Sequence, residues 1–175
     1  MLLRKSQLGM TDFFVALSIF FLVFGMVVFT WNWYTMEIME KVEYRDMQIK
    51  AFEVTELLLK TPGSPSAWET LPSSDNIETL GIAKEPNIIS RKKVKALIDS
   101  NFLTDVRMKE LLNIEIYNFS LKITEEDGSQ KYEGGALIER GHQYSEKKDT
   151  VIIKRPVLYE NREDSAILEF ALWEK

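Results

Sequence analysis

The chain has 175 residues, with 22 basic and 27 acidic side chains and a formal charge of −5, which disfavours nucleic-acid binding through a broad basic surface. It has no cysteine and a single histidine, His142, so disulfide staples and thiolate chemistry are excluded and a histidine-based metal cluster or triad has almost nothing to build from. Charge is also unevenly placed along the chain. Phe13 to Met36 is a run of 24 residues without a charged side chain, and its first part, Phe13 to Trp31, is interrupted only by Ser18, Gly25 and Thr30. About 20 apolar residues suffice for a helix to cross a bilayer core. Arg4 and Lys5 are the only charges ahead of Asp12, so the positive-inside bias places the N-terminus in the cytoplasm and everything after Met36 outside. Trp31, Trp33 and Tyr34 then fall where an outer aromatic belt belongs.

An ordinary secretory signal has a shorter apolar region and small residues at its cleavage site. Here the run ends in Thr30-Trp31-Asn32-Trp33-Tyr34, so removal after it is not expected. Ahead of it stand Met1-Leu2-Leu3-Arg4-Lys5-Ser6-Gln7-Leu8-Gly9-Met10-Thr11-Asp12. This short basic leader, ending in a small residue and a glutamine before a long apolar helix, resembles the class III signal of archaeal type IV pilins and pilin-like proteins. The resemblance implies cleavage by a prepilin peptidase between Ser6 and Gln7, with Arg4 and Lys5 as the charges the peptidase reads and Gln7 as the new N-terminus. It further implies that membrane lipid holds the precursor and that other pilin-like subunits are the later partners of the helix. The family pattern has Gly before the cut and an acid at the fifth mature position, whereas this chain has Ser6 and, at the sixth, Asp12. Two readings of Asp12 stand side by side: it caps the first helical turn with Thr11 beside it, or it pairs with the freed amino group of a neighbouring subunit. Gly25, in an otherwise bulky span, would permit close approach of another helix.

From Glu37 to Lys60 there is no Gly or Pro, so the helix is predicted to continue to about Leu59 before Thr61-Pro62-Gly63 stops it. Some 50 helical residues would reach about 75 Å. Ile38, Val42, Ile49, Phe52 and Leu59 form one stripe, interrupted by Arg45 and Glu56, and Tyr44, Met47, Ala51, Val54 and Leu58 lie nearly opposite. Two apolar faces require two partners: the chain's own outer domain and neighbouring helices, or the outer domain on both sides. Thr61 to Asn76 reads as a crossing loop pinned by a buried Trp68. Lys60-Thr61-Pro62-Gly63, Trp68-Glu69 and Leu80-Gly81 also resemble the segment after the helix in archaeal pilin-like proteins.

Ser90 is predicted to cap a helix to about Ser100, with Val94, Leu97 and Ile98 as its apolar face, and Thr104 another to Leu112. Arg91, Lys92, Lys93 and Lys95 crowd the positive end of the first, either as a solvated face or for an acidic partner on this chain or another. Tyr117, Phe119, Leu121 and Ile123 then alternate with Ile116, Asn118, Ser120 and Lys122 in a strand, and Glu126-Asp127-Gly128-Ser129 signals a hairpin returning through Tyr132 to Glu139. Thr150 to Tyr159 and Ser165 to Trp173 form a second pair, with Pro156 marking an edge or bulge. Tyr117, Phe119, Leu121, Ile123, Leu168, Phe170 and Leu172 are the expected core, facing the distal part of the long helix.

The predicted fold class is α+β: a long N-terminal transmembrane helix continuing as a stalk, with a small antiparallel β-sheet head and two short helices. Its predicted organisation is a leader over 1–6, a membrane and assembly helix over 7–36, an extracytoplasmic continuation over 37–60 and a head over 61–175. No cofactor motif is visible. Gly134-Gly135 reads as a strand kink and not a phosphate loop, and the acidic pairs Glu125-Glu126 and Glu163-Asp164 fall in turns. Asn118-Phe119-Ser120 is the one glycosylation acceptor pattern. The functional expectation is a non-enzymatic, exported subunit assembled through its apolar helix into a type IV pilus-like surface filament. The alternative is a permanently anchored extracytoplasmic binding or envelope-associated protein.

Overall fold

The structure, a computed structural model, describes residues 3–125, 129, 132–133, 136–142, 150–160 and 164–174. Of the expected turns, Glu126 to Gly128, Gly134-Gly135 and Asn161 to Glu163 lie outside the described residues. The chain divides into two compact units, Met1–Tyr44 and Arg45–Lys175. Helix α1, Leu3–Lys60, is a single element of 58 residues, consistent with an interior free of proline and with the good helix formers that dominate from Glu37 onward.

Within the second unit, the end of α1 is closed by backbone from further along the chain. A helix leaves its last carbonyls without intrahelical donors. Thr61 donates both its N–H (3.2 Å) and its Oγ1 hydroxyl (2.8 Å) to Leu57 O. The amide of Ile82 donates to Leu58 O at 2.9 Å and that of Asn87 to Leu59 O at 2.8 Å. Ile82 directly precedes a very short strand, β1 (Ala83–Glu85), and Asn87 directly precedes another, β2 (Ile88–Ile89). Gly81 has no room for a side chain, because a Cβ there would strike the Thr61 carbonyl. Trp68 pins the connecting loop as expected: it is fully buried, its Nε1 donates to Gly81 O at 2.8 Å, and its ring stacks on Phe102 at 6.2 Å between centroids.

Helices α2 (Arg91–Ile98) and α3 (Asp105–Leu112) come next. The first stops two residues before Ser100, because Asp99 is extended. Thr104 caps α3 by accepting from the Arg107 amide at 3.2 Å, and Asn113 closes it in the left-handed conformation (φ 54°). The remaining strands are β3 (Tyr117–Thr124), β4 (Tyr132–Glu133), β5 (Ala136–Leu137), β6 (Glu139–Gly141), β7 (Thr150–Tyr159) and β8 (Ser165–Glu174).

The fold is α+β, but the expected antiparallel meander is corrected. The six-stranded sheet is mixed, in the order β1-β2-β7-β8-β3-β6, and β4 and β5 form a separate pair. Strand β2 runs parallel to β7, so the sheet is not wholly antiparallel. Strand β8 lies between β7 and β3, pairing antiparallel with both, whereas a meander would have left it at an edge. Its composition explains the place: Glu169 is the only charged residue between Ser165 and Trp173, and both faces are apolar enough to be buried. The strand returning to β3 is β6, with Leu121 opposite Arg140, and not the whole of Tyr132 to Glu139. Gly141 there holds φ +88°, and a Cβ on it would strike the Phe119 carbonyl, a conformation and approach open to glycine.

The expected core register holds. Phe119, Leu121, Ile123, Leu168, Phe170 and Leu172 are all buried and share one cluster with Met47, Ala51, Val54 and Leu58 of α1, while Tyr117 is half-buried beside it. Phe119 and Phe170 stack at 6.3 Å. Truncating Phe119 to Ala is expected to cost about 3–5 kcal/mol, because the packed neighbours cannot close over the space. Chemical denaturation of the full-length protein in detergent measures it, and a loss below about 1 kcal/mol, ordinary for surface sites, would contradict this packing.

Candidate functional site

The span residues are all on α1, and their placement follows from the helix alone. This segment is long and apolar enough to cross a membrane, with a mean hydropathy of 2.6 over 18 residues, none of it buried within the chain. Its few polar side chains satisfy themselves locally. Ser18 donates to Phe14 O at 2.8 Å, Thr30 to Met26 O at 2.8 Å and Thr35 to Trp31 O at 2.9 Å. Each hydroxyl is thus already bonded within the helix, as a lipid-facing segment would require. Trp31, Trp33 and Tyr34 are all exposed.

Asp12 is exposed in the third turn of α1 and has no ion-pair or hydrogen-bond partner among the described residues. It therefore does not cap the first turn, which begins at Leu3 and contains no acid. Arg4, Lys5, Ser6 and Gln7 are helical in backbone, and their side chains lie outside the described residues. Gly25 is exposed, and a Cβ built on it would meet nothing within 4 Å. Its own chain supplies no packing reason for a glycine that costs about 1 kcal/mol of helix propensity against alanine.

In the second unit, the two faces of α1 separate cleanly. Met47, Ala51, Val54 and Leu58 are buried under the head, while Ile49 and Phe52 each keep 49% of their surface exposed. The head therefore covers one face, and the reading in which it wraps both sides is corrected. Leu59, placed by the helical wheel with Ile49 and Phe52, is instead buried, because Asn87 and Ile82 close the helix end around it. Ile38 and Val42, in the first unit, are exposed as well. Glu56 interrupts the open stripe with a purpose: its carboxylate pairs with Arg155 of β7 and with Lys60, and the Arg155 guanidinium lies 5.3 Å from the centre of the Phe52 ring.

The basic cluster of α2 is divided. Arg91 pairs with Asp164 at 2.5 Å and stacks on the Tyr159 ring. Lys92 and Lys95 are exposed. Lys93 departs from the solvated-face reading: it is buried, with Nζ donating to Pro62 O at 2.5 Å, and burial lowers its pKa from the ordinary lysine value while Glu69 acts to raise it. Pattern alone hid this, because nothing local marks which of four adjacent cations turns inward.

Asn118 is half-buried, its amide donating to Glu174 O at 3.5 Å and its Oδ1 accepting from Lys109 Nζ at 3.3 Å, and Ser120 is buried. His142 is exposed, with its backbone N–H on Phe119 O. Among the described residues no group of three or more histidines and acids is placed to hold a metal. No family model matches the sequence, and neither a curated protein nor a solved structure matches the chain.

This geometry sets two expected outcomes. Ile49→Glu is expected to change unfolding free energy by no more than about 0.5 kcal/mol, whereas Val54→Glu places an unpaired carboxylate in the core and costs about 4 kcal/mol or more. Equal losses in denaturant titrations would refute the assignment of covered and open faces. For Lys93, the folded pKa lies below the unfolded one, so between the two values the unfolded chain binds more protons. Stability from this group accordingly rises with pH towards about 10.4. Relative to Lys93→Met, the wild type is expected to gain stability as pH rises towards about 10.4, and a flat difference would contradict the burial.

Proposed function

We propose that this chain is a pilin-like structural subunit, held by its apolar helix in a membrane as a precursor and then assembled through that helix into a type IV pilus-like surface filament. One observation carries the reading: α1 presents a charge-free run of 24 residues and an apolar, membrane-length window that is unburied among the described residues, with a basic leader before it. A span that meets only lipid has every backbone group bonded within itself, so neighbouring helices can replace lipid around Phe13 to Phe29 without opening any hydrogen bond. Gly25 offers the place of closest approach, and Asp12, unpartnered among the described residues of its own chain, is free to meet the amino group exposed on Gln7 of the next subunit. The head stays outside, and the role is structural and non-enzymatic.

The class of organism, archaeal, is part of the same proposal and rests on the leader resemblance alone. The permanently anchored alternative draws support from the two departures in the leader, Ser6 and the position of Asp12.

Processing and filament recovery test the proposal in cells with an active prepilin peptidase. The mature protein is expected to begin at Gln7 by intact mass. Lys5→Ala should slow cleavage, and a bulky residue in place of Ser6 should block it while insertion proceeds, because insertion depends on the apolar run. Gly25→Leu and Asp12→Ala should each lower recovery in sheared filaments while the precursor accumulates normally. Full-length protein confined to the membrane for wild type and variants alike, in cells that make filaments, would support the anchored alternative instead.

A further inference from the structure

Among the described residues, one side of strand β7 is paired only at its end. Its β8 side is paired from Thr150 to Leu158, but on the other side β2 reaches only Leu158 and Tyr159. The backbone direction can be read from two amides: Leu158 N–H donates to Asn87 O, towards β2, and Tyr159 N–H donates to Asp164 O, towards β8. Peptide groups alternate sides along an antiparallel strand, so Ile152, Lys154 and Pro156 share the direction of Leu158 and direct their backbone to the open side. Their side chains lie on the exposed face, with Ile152, Lys154, Pro156 and Leu158 all exposed.

The local sequence makes this edge adhesive. Val151-Ile152-Ile153 and Val157-Leu158-Tyr159 are β-branched and aromatic runs of the kind that pair strand to strand, and they are separated only by Lys154-Arg155-Pro156. Arg155 turns inward to Glu56, leaving Lys154 and Pro156 on the outer face. Lys154 pairs with Glu169 at 2.8 Å yet keeps 63% of its side chain exposed. Pro156 lacks the N–H that an incoming strand would need at the outward position next to the β2-paired end. A proline is also merely tolerated at edges, so its presence by itself decides nothing. What distinguishes this one is its place: on the open side directly before the second apolar run, with an outward lysine two residues earlier on the same face.

We propose that Pro156, reinforced by the charge of Lys154, blocks the open edge of β7 against pairing with β7 of a second copy. The sheet is thereby closed to strand addition between heads crowded at a membrane surface. The block is a property of β7 and does not depend on filament assembly.

The test uses the full-length protein in detergent micelles, following association by sedimentation and amide exchange across residues 150–157 as a function of concentration. Pro156→Val is expected to strengthen self-association about tenfold or more, equivalent to about 1.4 kcal/mol, with concentration-dependent protection confined to β7. Pro156→Ala, which restores the N–H with little added bulk, should give a smaller increase in the same place and serves if the valine variant does not fold. Association through α1 would leave β7 exchange unchanged and so stays separable. Wild-type exchange at every concentration for a folded Pro156→Val or Pro156→Ala would overturn the proposal. So would concentration-dependent protection of β7 in the wild type.

Discussion

The head depends on how the C-terminal end of α1 is closed. A helix that enters a folded unit must bury its last turn, and the carbonyls there become costly if left without donors. Leu57, Leu58 and Leu59 find them in Thr61, Ile82 and Asn87, so the chain returns across the helix end within about thirty residues, pinned midway by the indole of Trp68 on Gly81 O. That return sets β1 and β2, and β2 sets the parallel start of the sheet beside β7. With this end fixed, the Met47, Ala51, Val54 and Leu58 stripe can lie against Phe119, Leu168 and Phe170 as one core. The contribution of each such side chain is about 1.5–3 kcal/mol, and the backbone closure makes all of them usable together.

Charge buried by the sheet is handled by pairing. On the face of the sheet away from the core, Lys154, Glu169, Lys122 and Glu139 stand in register across β7, β8, β3 and β6. Glu169, with only 8% of its side chain exposed, receives Lys122 at 3.0 Å and Lys154 at 2.8 Å. A carboxylate so enclosed would be expensive alone and is tolerable with a cation on either side. The alternation also specifies register, because a slip of one residue would turn Glu169 into the core and an apolar neighbour out. On the core face, Arg140 is 6% exposed and reaches Leu103 O at 2.6 Å and Asp105 at 2.5 Å. It joins β6 to the loop before α3, where a lysine could not make the same forked contacts.

Much of this was legible in the residues, for identifiable reasons. The membrane-length helix announces itself by the absence of charge, Thr104 by its cap, and the core faces of β3 and β8 by alternation long enough to count. Trp68 was legible because a lone indole in a loop of prolines and serines needs a place to bury. The segments that escaped are those with too few residues to carry a period: β1 and β2 have three and two. The central place of β8 escaped because chain order suggests neighbours and burial decides them. Two apolar stripes were visible on α1, yet which one the head covers is a tertiary fact. Leu59 and Lys93 make the same point in opposite directions, one moved inward by a helix end closing over it and the other by a carbonyl, Pro62 O, that only the folded loop brings near.

The buried stripe and the closure of α1 both lie within the unit from Arg45 onward, and this has a consequence for how the chain can work. Among the described residues, the whole core cluster belongs to that unit. In the proposed filament, lipid would then be exchanged for protein around the span without opening the core of the head. Ile49 and Phe52 mark where the two regimes meet on the second unit: they belong to its helix yet contribute little to its core. Singly exposed apolar side chains are ordinary on protein surfaces, but these recur at helical spacing on the side of α1 that the core leaves open. In the proposed filament they would be the head's own share of the helix contact, with Phe52 already carrying the Arg155 guanidinium over its ring.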